Sequence, residues 1–367
     1  MLKTSTIHSL DQLLDELKHP QVRDLAWAIG SPHLVDQADQ VLRHQAPSLT
    51  SLGEDDSPLR STSSVEWTSL HITPTLTPQA ELVRCTPALL ALDHDPGHLL
   101  DSLAAQRANY PRVRLGVYFE HLITYWLSAL VGADPLYREL QNYEPQARGV
   151  KTLGALDLVG KFDQDQATWT HIEVATKFYL EREDAPRLLT SNDTLDQSDM
   201  TSWVDHPWMD QVVGPNERDS LGHKLRRLLR HQLPMSDHPR ARDLLRETGV
   251  DQVNQRLLWL KGRLFKWAGD ASGHLMTGLW VRAGQLQLIS RHLGSRVKAL
   301  CCAKPSWLAP PLRTELDSAP VLTMPALEAQ ARSTKGERGA TLWYLASLDL
   351  AEHRWVMIVP DDWCDRR

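Results

Sequence analysis

The chain has 367 residues, 42% hydrophobic and 23% charged, with a formal net charge of -6. That length supports one large domain or two and buries a sizeable core without disulfide staples. The acidic balance excludes a generally basic nucleic-acid coat but leaves a local basic groove open.

Residues 7–30 read as helical, with Leu13, Leu14 and Leu17 on one face and a break at His19-Pro20. Residues 47–65 are rich in Ser, Thr, Asp and Pro and read as a surface loop or linker. Helical spacing resumes over 87–107, interrupted at Asp93-His94-Asp95-Pro96-Gly97-His98. Leu115, Phe119, Leu122, Ile123, Trp126, Leu127 and Leu130 then form an apolar stripe of period 3.6, a helix from Pro111 to before Gly132. The period next changes. Leu153–Val159 reads as a buried strand and Thr168–Tyr179 as a longer one, with Asp163-Gln164-Asp165-Gln166 as the turn of a hairpin. Residues 180–218 read as a long irregular candidate binding loop carrying Trp203 and Trp208. Asp219 or Ser220 caps a helix to Leu233 with Leu221, Leu225, Leu228, Leu229 and Gln232 inward. A strand follows at Arg256–Lys261, a helix near 285–293, and a strand pair at 341–349 and 353–359. These features divide the chain into a mostly helical region (1–108), an α/β core (109–270) and a C-terminal α/β elaboration (271–367). The 13 Trp read mainly as core or loop anchors.

No run approaches the ~18 apolar residues of a membrane helix, so no membrane partner is expected. Met1-Leu2-Lys3-Thr4-Ser5 leads into no apolar signal core, and Cys85, Cys301, Cys302 and Cys364 form no CxxC. The expected location is the cytoplasm, with reduced thiols. Walker, dinucleotide-binding, nucleophile-elbow and HExxH motifs are all missing. His94 and His98 flank Pro96-Gly97 and so do not share a helical face.

What remains is an ordered set of charges. Glu120 lies in the apolar helix, Asp157 interrupts an apolar strand, and Glu173 and Lys177 share one face of the next strand. A carboxylate inside an apolar strand is costly unless it is paired or metal-bound. Two such groups on neighbouring strands repel, and a divalent cation relieves the repulsion. A nearby lysine orients water or stabilises developing negative charge. Those are the parts of metal-assisted phosphodiester hydrolysis. Taken singly, each charge reads as a solvated or ion-paired surface group; taken in order, the four read as a site.

The order helix-Glu, strand-Asp, strand-Glu-Lys, helix resembles the PD-(D/E)xK restriction-endonuclease-like superfamily, in Leu115-Gly116 through Phe119-Glu120, Gly154-Ala155-Leu156-Asp157 and the run from Glu173. The whole chain further resembles a bacterial family, domain-of-unknown-function family 1853. That resemblance rests on His19–Trp27, Glu173–Leu180, Gly214-Pro215-Asn216, Lys224-Leu225 through His231-Gln232-Leu233-Pro234, and Trp259-Leu260-Lys261-Gly262. It brings no assigned activity. The superfamily implies an αβββαβ core within an α/β (α+β) chain, at 109–270, with N-terminal helical and C-terminal mixed elaborations. It implies that Asp157 and Glu173 hold Mg²⁺ or Mn²⁺ with the Val174 carbonyl as third ligand. Glu120 would complete the shell or orient a water, and Lys177 would position the attacking water. One departure stands out: Ala175 occupies the usual lysine position, and Lys177 lies two residues on, about 6.6 Å along the strand. Gln232 reads equally as a site contact or as a polar rim residue.

Lys224, Arg226, Arg227, Arg230 and His231 crowd one short helix, and Arg291, Arg296, Lys298 and Lys304 form a looser cluster. A solvated face is the ordinary meaning. Beside a metal site, Lys224, Arg227, Arg230, His231 and Gln232 form a candidate surface for a phosphate backbone. The expected function is a Mg²⁺- or Mn²⁺-dependent nuclease acting on nucleic acid. The alternative is a non-catalytic nucleic-acid- or protein-binding module on a degenerate nuclease scaffold. A purely structural protein would hold Asp157 and Glu173 more than ~10 Å apart, too far to share one ion.

Overall fold

The computed structural model describes residues 9–38, 77–109, 114–146, 149–162, 168–185, 204–270, 277–334, 339–350 and 352–364. Helix α1 (Leu10–Glu16) begins at Ser9, whose hydroxyl accepts from the Gln12 N–H. The break at 19–20 is where Pro20 opens α2 (Pro20–Gly30), at a position where its missing N–H costs nothing. Helices α3 (Pro78–His94) and α4 (Gly97–Asn109) part at Asp95-Pro96, inside the interruption read from the sequence. The apolar stripe forms α5 (Leu115–Tyr125), which continues as a π-helical turn over Trp126–Leu130. Its stripe is buried through Leu127, with Leu130 packed at the margin.

Strands β1 (Leu136–Gln146), β2 (Gly149–Lys161) and β3 (Trp169–Glu181) form an antiparallel meander. The 180–218 segment contains α6 (Pro207–Gln211) and a two-residue strand, β4 (Val212–Val213), that pairs with β3. Trp208 is buried there and donates to Glu181 at 2.8 Å. Trp203 and the 47–65 segment lie outside the described residues. Ser220 caps α7 (Leu221–Arg227) through the His223 N–H. The expected single helix to Leu233 instead changes pitch, to a π turn at Leu228–Gln232 and a 3-10 turn at Leu233–Asp237. Helix α8 (Pro239–Glu247) then leads into β5 (Gln255–Trp267), which lies parallel to β3.

The remaining elements are β6 (Gly278–Arg282), a 3-10 turn (Ala283–Ile289), α9 (Ser290–Leu293), β7 (Arg296–Cys302) and α10 (Arg313–Asp317). Strand β8 (Val321–Thr323), α11 (Met324–Ser333) and the antiparallel pair β9 (Thr341–Ser347) and β10 (His353–Val359) follow. The chain is therefore α/β, with ten strands in one mixed sheet of order β1-β2-β3-β5-β6-β10-β9-β7-β8, and β4 on the flank of β3.

The sheet is covered on both faces, and β3 shows how. Ile172, Val174, Phe178 and Leu180 point into a core with α1–α5. Ala175 and Tyr179 point the other way, against Leu221, Leu225, Leu228, Leu229 and Leu233. This is why β3 is buried along nearly its whole length rather than at alternate residues. Trp126, Trp208, Trp280 and Trp343 are fully buried, in keeping with a packing role.

Candidate active site

The site is built where two strand ladders stop. Strands β2 and β3 pair from Lys161–Trp169 to Leu158–Ile172, one residue short of Asp157 and Glu173. On its other side β2 pairs through Arg138–Leu158 and Leu140–Leu156, with Glu139 and Asp157 left between. Glu139 has φ 47°, in the left-handed region that a residue with a Cβ enters at a cost. The Asp157 carboxylate fills part of the gap: its Oδ2 accepts from the Val174 N–H at 2.9 Å. An acid at this position therefore satisfies a backbone donor that the ladder does not reach.

Glu173 is fully buried, and both its oxygens are engaged. Oε1 lies 3.0 Å from His171 Nε2, and Oε2 accepts from Gln232 Nε2 at 2.7 Å. Gln232 in turn accepts from the Lys224 ammonium at 3.5 Å. The Asp157 and Glu173 charges bear on each other electrostatically.

Glu120 reaches the same region from α5. With Asp157, His121, Arg138 and Glu139 it lines a cleft of about 720 Å³. Burial raises all three acids to about 7. For Glu120 the Asp157 and Glu139 charges add to burial, and for Asp157 the Glu173 charge does. At Glu173, burial is opposed chiefly by the Lys224 charge. Burial also lowers His171, to about 4, so its imidazole is neutral at neutral pH.

Lys177 is turned elsewhere. Its ammonium donates to Asp219 Oδ2 at 2.8 Å, and the Tyr179 hydroxyl donates to the same oxygen at 3.1 Å. On β5 its ladder partner is Gly262, with φ +149°. A Cβ there would fall 1.7 Å from the Lys177 carbonyl oxygen, so only glycine allows the strands to meet.

Residues 23–359 match the family described as Domain of unknown function (DUF1853). The chain belongs to the DUF1853 family. No curated protein and no solved structure matches it. Among the described residues, no helix of this DUF1853 chain is long and apolar enough to cross a membrane.

The basic residues of the DUF1853 chain divide. Arg227, Arg230 and His231 are exposed, but Arg230 is ion-paired with Asp205 and Arg226 with Asp210. Lys224 turns inward, half-buried, toward the acids. Gln232 is half-buried and bonded to Glu173. Lys298, from the looser cluster, pairs with Asp317 at 3.1 Å.

The donor set also bears on a metal. Among the described residues, no three His, Cys, Asp or Glu side chains converge as a metal-holding group. The pair Asp157 and Glu173 fits a looser mode, since Mg²⁺ is held through one or two carboxylates with water completing the shell. The donors are oxygens, which suit a hard cation.

Sequence reasoning missed Glu139 and His171. His171 lies two residues before Glu173, so strand parity alone places it on the same face, and the signal was present. Glu139 carried none, because β1 was not legible as a strand.

Proposed function

We propose that this protein is a divalent-cation-dependent phosphodiesterase that acts on nucleic acid in the cytoplasm, a nuclease with a PD-(D/E)xK-like core. The observation that carries the reading is the placement of Asp157 and Glu173. Both lie just past the end of the β2–β3 ladder, Glu173 fully buried, and Asp157 lines one cleft with Glu120. The element order supports it as well. Helix α5, the β1–β2–β3 meander, a crossover that holds α7 along with α6, β4 and α8, and then β5 parallel to β3 are compatible with an elaborated αβββαβ order. Asp157 and Glu173 would hold Mg²⁺ or Mn²⁺, which when bound polarises the phosphoryl oxygens and acidifies water.

The protein's own groups have separable tasks. His171 and Gln232 fix both oxygens of Glu173, so its carboxylate is oriented before substrate arrives. Glu120, with a proton affinity near neutral, suits proton transfer at the cleft. Arg138 brings positive charge to the cleft wall, where a phosphate would enter. Exposed Arg227, Arg230 and His231 are candidates for more distant backbone contacts.

The test is incubation of single- and double-stranded DNA and RNA with Mg²⁺ or Mn²⁺. The wild-type chain is expected to cut at least one of them, and Asp157→Ala to leave it intact. Intact substrate under every condition overturns the catalytic reading.

A second reading is a non-catalytic nucleic-acid- or protein-binding module. It is favoured by Ala175 at the usual lysine position and by Lys177 held on Asp219. It predicts nucleic-acid binding that survives Asp157→Ala, without cleavage.

A further inference from the structure

Ala175 stands where the superfamily resemblance places a lysine. Ala175 lies between Glu173 and Lys177 on the same face of β3 and is buried against Leu225, Leu228 and Leu229. Its methyl group leaves the space over the strand to the crossover helix. Helix α7 buries Leu221 and Leu225 against the sheet, and Lys224 comes in beside them. The Lys224 ammonium donates to Gln232 Oε1 at 3.5 Å, and Gln232 Nε2 donates to Glu173 Oε2 at 2.7 Å. A three-residue chain thus runs from α7 to the deepest carboxylate of the site.

The charges tell the same story. Lys224 is the cation whose field acts on Glu120, Asp157 and Glu173 alike. Lys177 is committed to Asp219 and Tyr179. Its own charge bears on Lys224 as a repulsion, which with burial lowers the Lys224 ammonium while Glu173 and Asp157 act the other way.

We propose that Lys224, delivered from the crossover helix and linked through Gln232, is the lysine of this site, and that Lys177 with Asp219 is a structural strut. The assignment rests on reading the acid cluster as an active site. In that role Lys224 holds the Glu173–Gln232 pair in place and presents positive charge where a phosphoryl group would gain negative charge.

Two measurements test it, and they fail separately. The first is a double-mutant cycle on unfolding equilibria, combining Glu173→Gln with Lys224→Met or with Lys177→Met. The Lys224–Glu173 pair should be coupled by about tenfold or more in the equilibrium constant, and the Lys177–Glu173 pair by less than about twofold. The reverse order, or no coupling at Lys224, overturns the proposal whether or not the protein cuts nucleic acid. Should Lys224→Met not fold, Lys224→Gln carries the same expectation. The second is the cleavage assay. Lys224→Met should lose about a hundredfold in kcat, and Lys177→Met should stay within about threefold. Placing the lysine on the strand instead, as Ala175→Lys with Lys224→Met, should recover a substantial part of the loss. Lys224→Met with unchanged kcat overturns the assignment. A wild-type chain that cuts nothing sinks the nuclease reading alone, and the cycle still decides Lys224.

Discussion

The three acids of the site should make stability depend on pH in an unusual direction. Burial, and after it the Glu173 charge, lifts the Asp157 carboxyl from 3.8 to about 7. Between those values the folded chain holds a proton that the unfolded chain has released. Its contribution is therefore complete below pH 3.8 and is lost as pH rises to about 7. The loss amounts to about 4 kcal/mol for this one group by pH 8. Glu120 and Glu173, both raised from 4.5 to about 7, act in the same direction. Asparagine at 157 keeps an oxygen to accept the Val174 N–H and has no proton to lose. Asp157→Asn should therefore match the wild type near pH 4 and exceed it by about 4 kcal/mol at pH 8. Urea unfolding in chelator at pH 4.5, 6, 7 and 8 measures both chains. Asp24, raised to about 6 by burial, and His171, lowered to about 4, also titrate in this range. Asp24 contributes to both chains, and the difference between them follows the site. Parallel curves for wild type and Asp157→Asn would refute the reasoning.

Other substitutions test the scaffold. Gly262→Ala drives a Cβ into the Lys177 carbonyl, so β3 and β5 must separate; a loss of about 4 kcal/mol or more is expected in urea, and near-native stability would contradict the close approach. Glu139→Gly removes the cost of a left-handed residue and one charge facing Glu120, and should raise stability by about 1 kcal/mol at pH 8. A decrease would mean that the Glu139 side chain anchors β1. Buried Lys261 donates to the Ile29 and Ser31 carbonyls at the end of α2. Lys261→Met leaves both unpaired and should cost about 2–3 kcal/mol by the same assay, with an unchanged midpoint assigning those carbonyls to other donors.

How far the sequence reveals this molecule depends on what each element buries. Helix α5 is legible because one stripe faces the sheet and the other does not. Strands β2, β3 and β5 are legible because both their faces are covered, which leaves apolar runs. Among the described residues strand β1 is an edge paired only with β2, and Arg138, Glu139, Glu144 and Pro145 break any alternation. The short β6 and β8 are too brief to show a period. The site divides in the same way. Asp157 and Glu173 are conspicuous as charges within apolar strands. Lys224 is hidden among four basic neighbours, because which of them faces inward depends on the packing of Leu221 and Leu225 and on the small side chain at Ala175. Gln232 reaches Glu173 from a π turn, a change of pitch that helical spacing alone does not foretell.

The central claim is that Asp157 and Glu173 together form a divalent-cation site, and calorimetric titration with Mn²⁺ addresses it without any substrate. The wild-type chain should bind about one ion, with binding that weakens as pH falls below about 7, where the carboxyls take up protons. Asp157→Asn and Glu173→Gln should each abolish the signal. No heat from the wild type, or heat that both variants retain, would contradict the account.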